Sequence, residues 1–196
     1  MELWYTTTSP FVRKVRIAAV ELGLDARIAL VGVDPWTDER LRALNPLCKV
    51  PTLIAEDGTV LFESAVICEW LDSVGSSRRL IPADGPSRWT SLRLQGVADG
   101  AMTAAGRLFA DERRSTAERS APMTARFVSA RDAALDWLED QPLQSVPEIG
   151  EIAVAALLGY LDFRWPDRGW RGSRPQLASW LEMIEERPSM ISTRHS

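Results

Sequence analysis

Residues 45–67 read NPLCKVPTLIAEDGTVLFESAVI, and the fold is decided there. Two short apolar runs, TLIA at 52–55 and TVLF at 59–62, flank Glu56-Asp57-Gly58. Asp-Gly between such runs is a strong hairpin signal, because glycine supplies the positive φ that a tight turn needs. Upstream, Asn45-Pro46 stops a short helical piece at 37–44, since a residue before proline avoids the helical region. Downstream, the spacing predicts a helix over 64–74, with Val66, Ile67, Trp70 and Leu71 as its buried stripe.

Working outward, ELWYT at 2–6 and RIALVGV at 27–33 read as strands. Between them, 10–23 reads as a helix, with Val12, Val15, Ala19 and Leu22 at three- and four-residue spacing. Ser9 suits its N-cap, Pro10 its first position and Gly23 its end. The order is strand, helix, strand, short helix, hairpin, helix. The stretch 75–87, rich in glycine and proline, reads as a linker. No strand signal follows. Long helices are expected at 87–113, 122–140, 149–163 and 175–187, with Phe127, Ala130, Ala134, Trp137 and Leu138 on one face of the second. The expected architecture is therefore α/β plus all-α. Residues 1–75 form a four-stranded mixed sheet with three helices, 76–87 a linker, and 88–196 a helical bundle.

The 196 residues are 45% apolar and 26% charged, values of a globular chain. A net charge of −4 weighs against nucleic-acid binding, and no apolar run approaches the ~18 residues of a membrane span. Two cysteines, Cys48 and Cys68, form no CxxC and no disulfide framework, which fits a reducing, cytoplasmic setting. With His195 as the one histidine, a histidine-built zinc site and Ser-His-Asp or Cys-His catalysis are set aside, and no metal is expected.

Three segments stand at strand–helix junctions, which in such folds converge on one sheet edge where ligands bind. They are Thr8-Ser9-Pro10-Phe11-Val12-Arg13, Asn45 to Leu53, and Phe62-Glu63-Ser64-Ala65-Val66-Ile67. Together they resemble the glutathione transferase family, in particular its serine-type classes. Lys49-Val50-Pro51-x-Leu53 and Glu63-Ser64-x-x-Ile67 are similar to its glutathione-site motifs. Arg174-Pro175-x-Leu177-x-x-Trp180-Leu181, followed by Arg187-Pro188-Ser189, resembles its closing helix. Each motif alone is weak, but four in order span nearly the whole chain.

The resemblance implies a thioredoxin-like domain, a helical domain, a cytoplasmic homodimer and attack of glutathione thiolate on a small hydrophobic electrophile. A free thiol has a pKa near ~8.5, and each unit of depression requires ~1.4 kcal/mol of thiolate stabilisation. A helix N-terminus and a donated hydroxyl hydrogen bond both act in that direction. Ser9 stands where both are available, and the resemblance gives it the contact to sulfur; read alone, it is simply a helix cap. Tyr5 is the rival, with the alternative of a packed strand residue. Pro51 matches the family's cis-proline, which would present Val50 to the cysteinyl backbone. Lys49 would meet the glycyl carboxylate, Ser64 the γ-glutamyl carboxylate and Glu63 the ammonium. Phe11, Arg107 and Arg113 are expected at the electrophile pocket, with Phe109, Trp165 and Trp170 in the same region. Asp99 is expected to assist the ammonium from the dimer cleft. One departure stands out. The family's Ser/Thr-x-x-Asp box at its sixth helix is replaced by Glu148-Ile149-Gly150-Glu151, which weakens the box. Position 9 is not a cysteine, which argues against disulfide exchange. A glutathione-dependent peroxidase or reductase, or a non-catalytic glutathione- or protein-binding member, stays open.

Overall fold

The computed structural model describes residues 1–76 and 78–195. Ser77, in the expected linker, and Ser196, in the expected helical domain, lie outside the described residues. The sheet half runs β1 (Glu2–Tyr5), α1 (Pro10–Glu21), β2 (Ala29–Gly32), α2 (Glu39–Leu44), β3 (Thr52–Ile54), β4 (Val60–Phe62) and α3 (Ser64–Val74). The strand order is β2-β1-β3-β4. Strands β1 and β2 are parallel, with Leu3 opposite Leu30, and α1 supplies the crossover that a parallel pair requires. Strand β3 is antiparallel to β1, with Leu53 opposite Leu3, and the β3–β4 hairpin closes through Gly58 at φ 85°.

Helix α1 buries Val12, Val15, Ala19 and Leu22, the stripe its spacing predicts. Helix α3 departs from expectation. Ile67, Cys68 and Leu71 are fully buried, but Val66 is 50% exposed and Trp70 half-buried. The stripe that meets the sheet is set by 67, 68 and 71, and Val66 lies a rotation of ~100° away from Ile67.

The helical half runs α4 (Gly85–Glu112), α5 (Ala121–Glu139), α6 (Ile149–Arg164), α7 (Pro175–Glu185) and α8 (Pro188–Ile191). Gly85 and Pro86, expected in the linker, form the first turn of α4, where proline's missing N–H costs nothing. The rest of that connection is not loose. Leu80 and Ile81 are buried, Leu80 N–H donates to Asp72 at 2.5 Å, and Ile149 N–H donates to the Leu80 carbonyl at 2.9 Å. Helix α6 is buried from Ile149 through Leu161, the mark of a central helix surrounded on all sides. A Cβ at Gly150 would stand 2.7 Å from the Ser91 carbonyl oxygen on α4, so glycine permits that close approach. On α5, Leu135 and Leu138 are buried and Phe127, Ala134 and Trp137 pack partly buried against the core, while Ala130 is exposed. At the start of α6 the Glu151 carboxylate accepts from the Glu148 N–H at 3.1 Å and the Gln144 N–H at 3.4 Å. The box expected to be weak is thus engaged through its third position.

Polar contacts bind the halves. Lys14 on α1 donates to both oxygens of Asp99 on α4, each at 2.7 Å. Glu21 accepts from Arg187 at 2.9 and 2.7 Å and from the Ser189 hydroxyl at 2.6 Å. His195 Nδ1 lies 3.0 Å from the Thr7 carbonyl oxygen and its ring stacks on Phe163. Among the described residues no helix is long and apolar enough to cross a membrane, and no group of three or more His, Cys, Asp or Glu could hold a metal.

Candidate functional site

The loop from α2 to β3 is shaped by one buried side chain. Asn45 donates to the Lys49 carbonyl and to the Thr52 hydroxyl oxygen, both at 3.0 Å, and accepts from the Leu47 N–H at 3.0 Å. Thr52 Oγ1 also donates to the Lys49 carbonyl at 2.9 Å. These bonds fix the backbone on either side of Val50, and the Val50–Pro51 peptide is cis, as the family motif implies. The Lys49 side chain is left exposed at the rim.

Beside this loop, Glu63 precedes α3 with φ 69° and ψ 118°, sparsely populated for a side chain with a Cβ. Such a residue costs on the order of 1–3 kcal/mol and is found most often at functional sites. Its carboxylate is exposed, while Ser64, the first residue of α3, is buried. The free N–H groups of that helix end favour an anion.

At the mouth of α1, Ser9 Oγ accepts from the Val12 N–H at 3.3 Å and Ser9 is the N-cap. The capping role is therefore real. Its hydroxyl hydrogen has no acceptor among the described residues, so the same oxygen can cap the helix and donate outward. Tyr5 is occupied differently: its ring is half-buried, with the Arg16 guanidinium 5.9 Å from its centroid.

A cleft of about 800 Å³ opens between the sheet edge and α4. Lys49, Val50, Pro51, Glu63, Ser64 and Phe11 line one side, and Arg107 lines the other. The structure therefore brings together seven of the ten candidate residues. Ser9 and Tyr5 are not on the lining itself, although Phe11, two residues after Ser9, is. Arg113 is turned away: its guanidinium lies 5.6 Å from the Phe109 ring centroid, and Arg114 takes the place on the cleft. The reason is the end of the helix: α4 stops at Glu112 with Arg113 as its C-cap, and Arg114 belongs to the turn that follows, where the chain changes direction. Trp165 and Trp170 are buried in a second cleft with Glu112 and Asp162 as their indole partners, away from the first.

Asp99 also lines the cleft, but its carboxylate is held by Lys14, whose side chain is fully buried. Burial pushes the Asp99 carboxyl above its usual range, and the Lys14 ammonium only partly offsets this. Asp99 is thus a bridge between the halves as well as a cleft acid. Cys68 lies beneath it, fully buried, its thiol pushed up to about 12 by burial. Cys48 donates to the Pro35 carbonyl at 3.2 Å and is outside the lining. The cleft residues that motif reading missed are chiefly Thr103, Gly106, Asp111 and Arg114. Thr103, Gly106 and Asp111 share with Asp99 and Arg107 a polar and small-residue stripe at helical spacing on α4, and Arg114 follows just past the helix end.

Comparison with known proteins converges on one group. Residues 8–74 match the family described as glutathione S-transferase, N-terminal domain, and residues 121–182 match glutathione S-transferase, C-terminal domain. The chain is 31% identical to the uncharacterized GST-like protein YibF of Escherichia coli K12, over 98% of each. It is 37% identical to a glutathione transferase family member from Pseudomonas fluorescens Pf-5 with bound glutathione, with a TM-score of 0.94, covering 100% of this chain and 98% of that one. A structure from the same organism with bound S-(propanoic acid)-glutathione is 36% identical, with a TM-score of 0.90 and 100% of both chains covered.

Proposed function

The chain belongs to the glutathione S-transferase family, and from that premise we propose that it conjugates glutathione thiolate to small electrophiles, with Ser9 donating a hydrogen bond to the sulfur. The observation that carries the reading is the joint presence on one cleft wall of Lys49, the Val50–Pro51 backbone, Glu63 and Ser64. A tripeptide with a carboxylate at each end and one ammonium needs a cation, an extended backbone partner, an anion and a helix N-terminus, and this wall offers all four. The Ser9 hydroxyl hydrogen, free of any acceptor among the described residues, supports its role at the sulfur. Glutathione acts as co-substrate, and the enzyme contributes thiolate stabilisation and positioning. The 800 Å³ cleft leaves room for a conjugated group beside the tripeptide, the kind of ligand one Pseudomonas fluorescens structure holds.

On this reading residues 1–75 bind glutathione and 88–196 supply most of the electrophile site. The protein acts in the cytoplasm as a homodimer. Support for the dimer is the exposed pair Val66 and Trp89, 50% and 68% accessible, beside the Arg88–Glu69 ion pair at 3.2 Å that joins α3 to α4.

Calorimetry with glutathione, and conjugation assays on Ser9→Ala and Tyr5→Phe, test the proposal. A donated bond to a charged sulfur is worth ~1.5–3 kcal/mol, so Ser9→Ala should lower the rate roughly 10- to 150-fold near neutral pH and raise the apparent thiol pKa. Tyr5→Phe should have little effect. The reverse order would move the role to Tyr5, and absence of glutathione binding at millimolar ligand would favour a partner-binding protein.

A further inference from the structure

The arginines of the helical half differ in how they are neutralised. Around the second cleft, Arg131 pairs with Asp132 at 2.8 Å, Arg174 with Asp136 at 2.7 Å, and Arg168 with Glu112. On the first cleft, Arg107 and Arg114 make no ion pair and no side-chain hydrogen bond among the described residues. Both are exposed; Arg107 stands on the last two turns of α4, and Arg114 lies just past the end of that helix, on the same cleft.

The acids of that cleft are already engaged. Asp99 holds Lys14 at 2.7 Å, and Asp111, between the two arginines, accepts from the Thr124 hydroxyl at 2.6 Å. Glu63 lies across the cleft at the start of α3 and is assigned to the glutathione ammonium. The cleft also has apolar lining from Phe11 on the sheet side and from Met123 and Phe127 on α5. Gly106 adds space, since a Cβ there would meet nothing within 4 Å. The second-substrate space therefore combines apolar lining with two cations that make no ion pair among the described residues.

We propose that the electrophile is amphipathic and acidic: a carbon skeleton with an electrophilic carbon at one end and a carboxylate at the other, held by Arg107 and Arg114. This deepens the transferase reading and rests on it. Guanidinium groups suit the task, because their planar forks match a carboxylate and remain charged at all working pH values. Placing the acid at the arginines directs the opposite end of the skeleton toward the glutathione wall.

A matched pair of probes separates charge from shape: a chloronitrobenzoate and its methyl ester. In both, the thiolate sulfur bonds to the ring carbon that carries chlorine, chloride leaves with the C–Cl electron pair, and the thiol proton goes to solvent. The ratio of kcat/KM for acid over ester should exceed one in the native enzyme and fall about tenfold in the double variant Arg107→Gln/Arg114→Gln, the scale of a charge-assisted contact at an exposed site. It should also fall with added salt. A ratio that neither the double variant nor salt changes would overturn the proposal while leaving the transferase reading intact. Should neither probe turn over, the transferase reading fails, and binding decides the arginine role. S-carboxyethyl-glutathione should then bind roughly tenfold tighter than S-propyl-glutathione, with the advantage lost in the double variant. Equal affinities would overturn it.

Discussion

Replacing Lys14 by methionine isolates the bridge between the two halves. The Lys14 side chain is 0% exposed and its Nζ donates to both Asp99 oxygens at 2.7 Å; the Asp99 side chain is 24% exposed. Removing one partner of a buried ion pair costs roughly 3–5 kcal/mol, because the other charge stays in low dielectric. Asp99 opens onto the cleft, so water relieves part of this, and a loss of ~2–3 kcal/mol near neutral pH is expected. That corresponds to a fall in Tm of about 4–12 °C for a chain of this size. The pH dependence sharpens the test. Burial already raises the Asp99 carboxyl, opposed by Lys14, and the variant lacks that opposing pull. A carboxyl whose folded pKa exceeds its unfolded value contributes stability at low pH that is lost as pH rises through the folded pKa. The deficit of Lys14→Met relative to native protein should therefore be small near pH 4 and grow toward about pH 8. Adding Asp99→Asn should recover most of it. Urea titrations across that range provide the readout. A deficit that is flat with pH and unchanged by Asp99→Asn would refute the argument and reduce Lys14 to its packed aliphatic stem.

Three further outcomes follow from local physics. Burial, aided by the charges of Arg13, Arg164 and Arg16, pushes the His195 imidazole down to about 4 from 6.5, although its bond to Thr7 pulls the other way. Native stability should accordingly fall by roughly 1–2 kcal/mol as pH drops through that window, and His195→Gln should flatten the slope. Cys68, its thiol pushed up to about 12, should resist a thiol reagent until the protein unfolds, while the part-exposed Cys48 reacts first; two prompt thiols by mass spectrometry would contradict the buried placement. Gly96 sits inside α4 with nothing within 4 Å of a prospective Cβ, so Gly96→Ala should stabilise by about 0.5–1 kcal/mol in thermal melts, and a loss would mean that this face is covered.

The sequence by itself determined what depends on neighbours in the chain. The hairpin at Asp57-Gly58, the α1 stripe and the cap at Ser9 are local conformational facts, and periodicity and turn chemistry encode them. The motifs whose residues line the cleft wall were legible for the same reason, each being a short segment with its own spacing. Tertiary packing alone decided the rest. It exposed Val66 by choosing which face of α3 meets the sheet, and it made the 78–84 stretch a bolted connection rather than a free linker. It selected Arg114 over Arg113, adjacent and chemically identical, because α4 ends at Glu112 and the turn beyond its cap brings Arg114 to the cleft while Arg113 packs on Phe109. It also joined Lys14 to Asp99 across 85 residues, a pairing that no local pattern can announce. Contacts made through space between helices depend on how whole surfaces settle against each other, and that balance is struck only when the core closes.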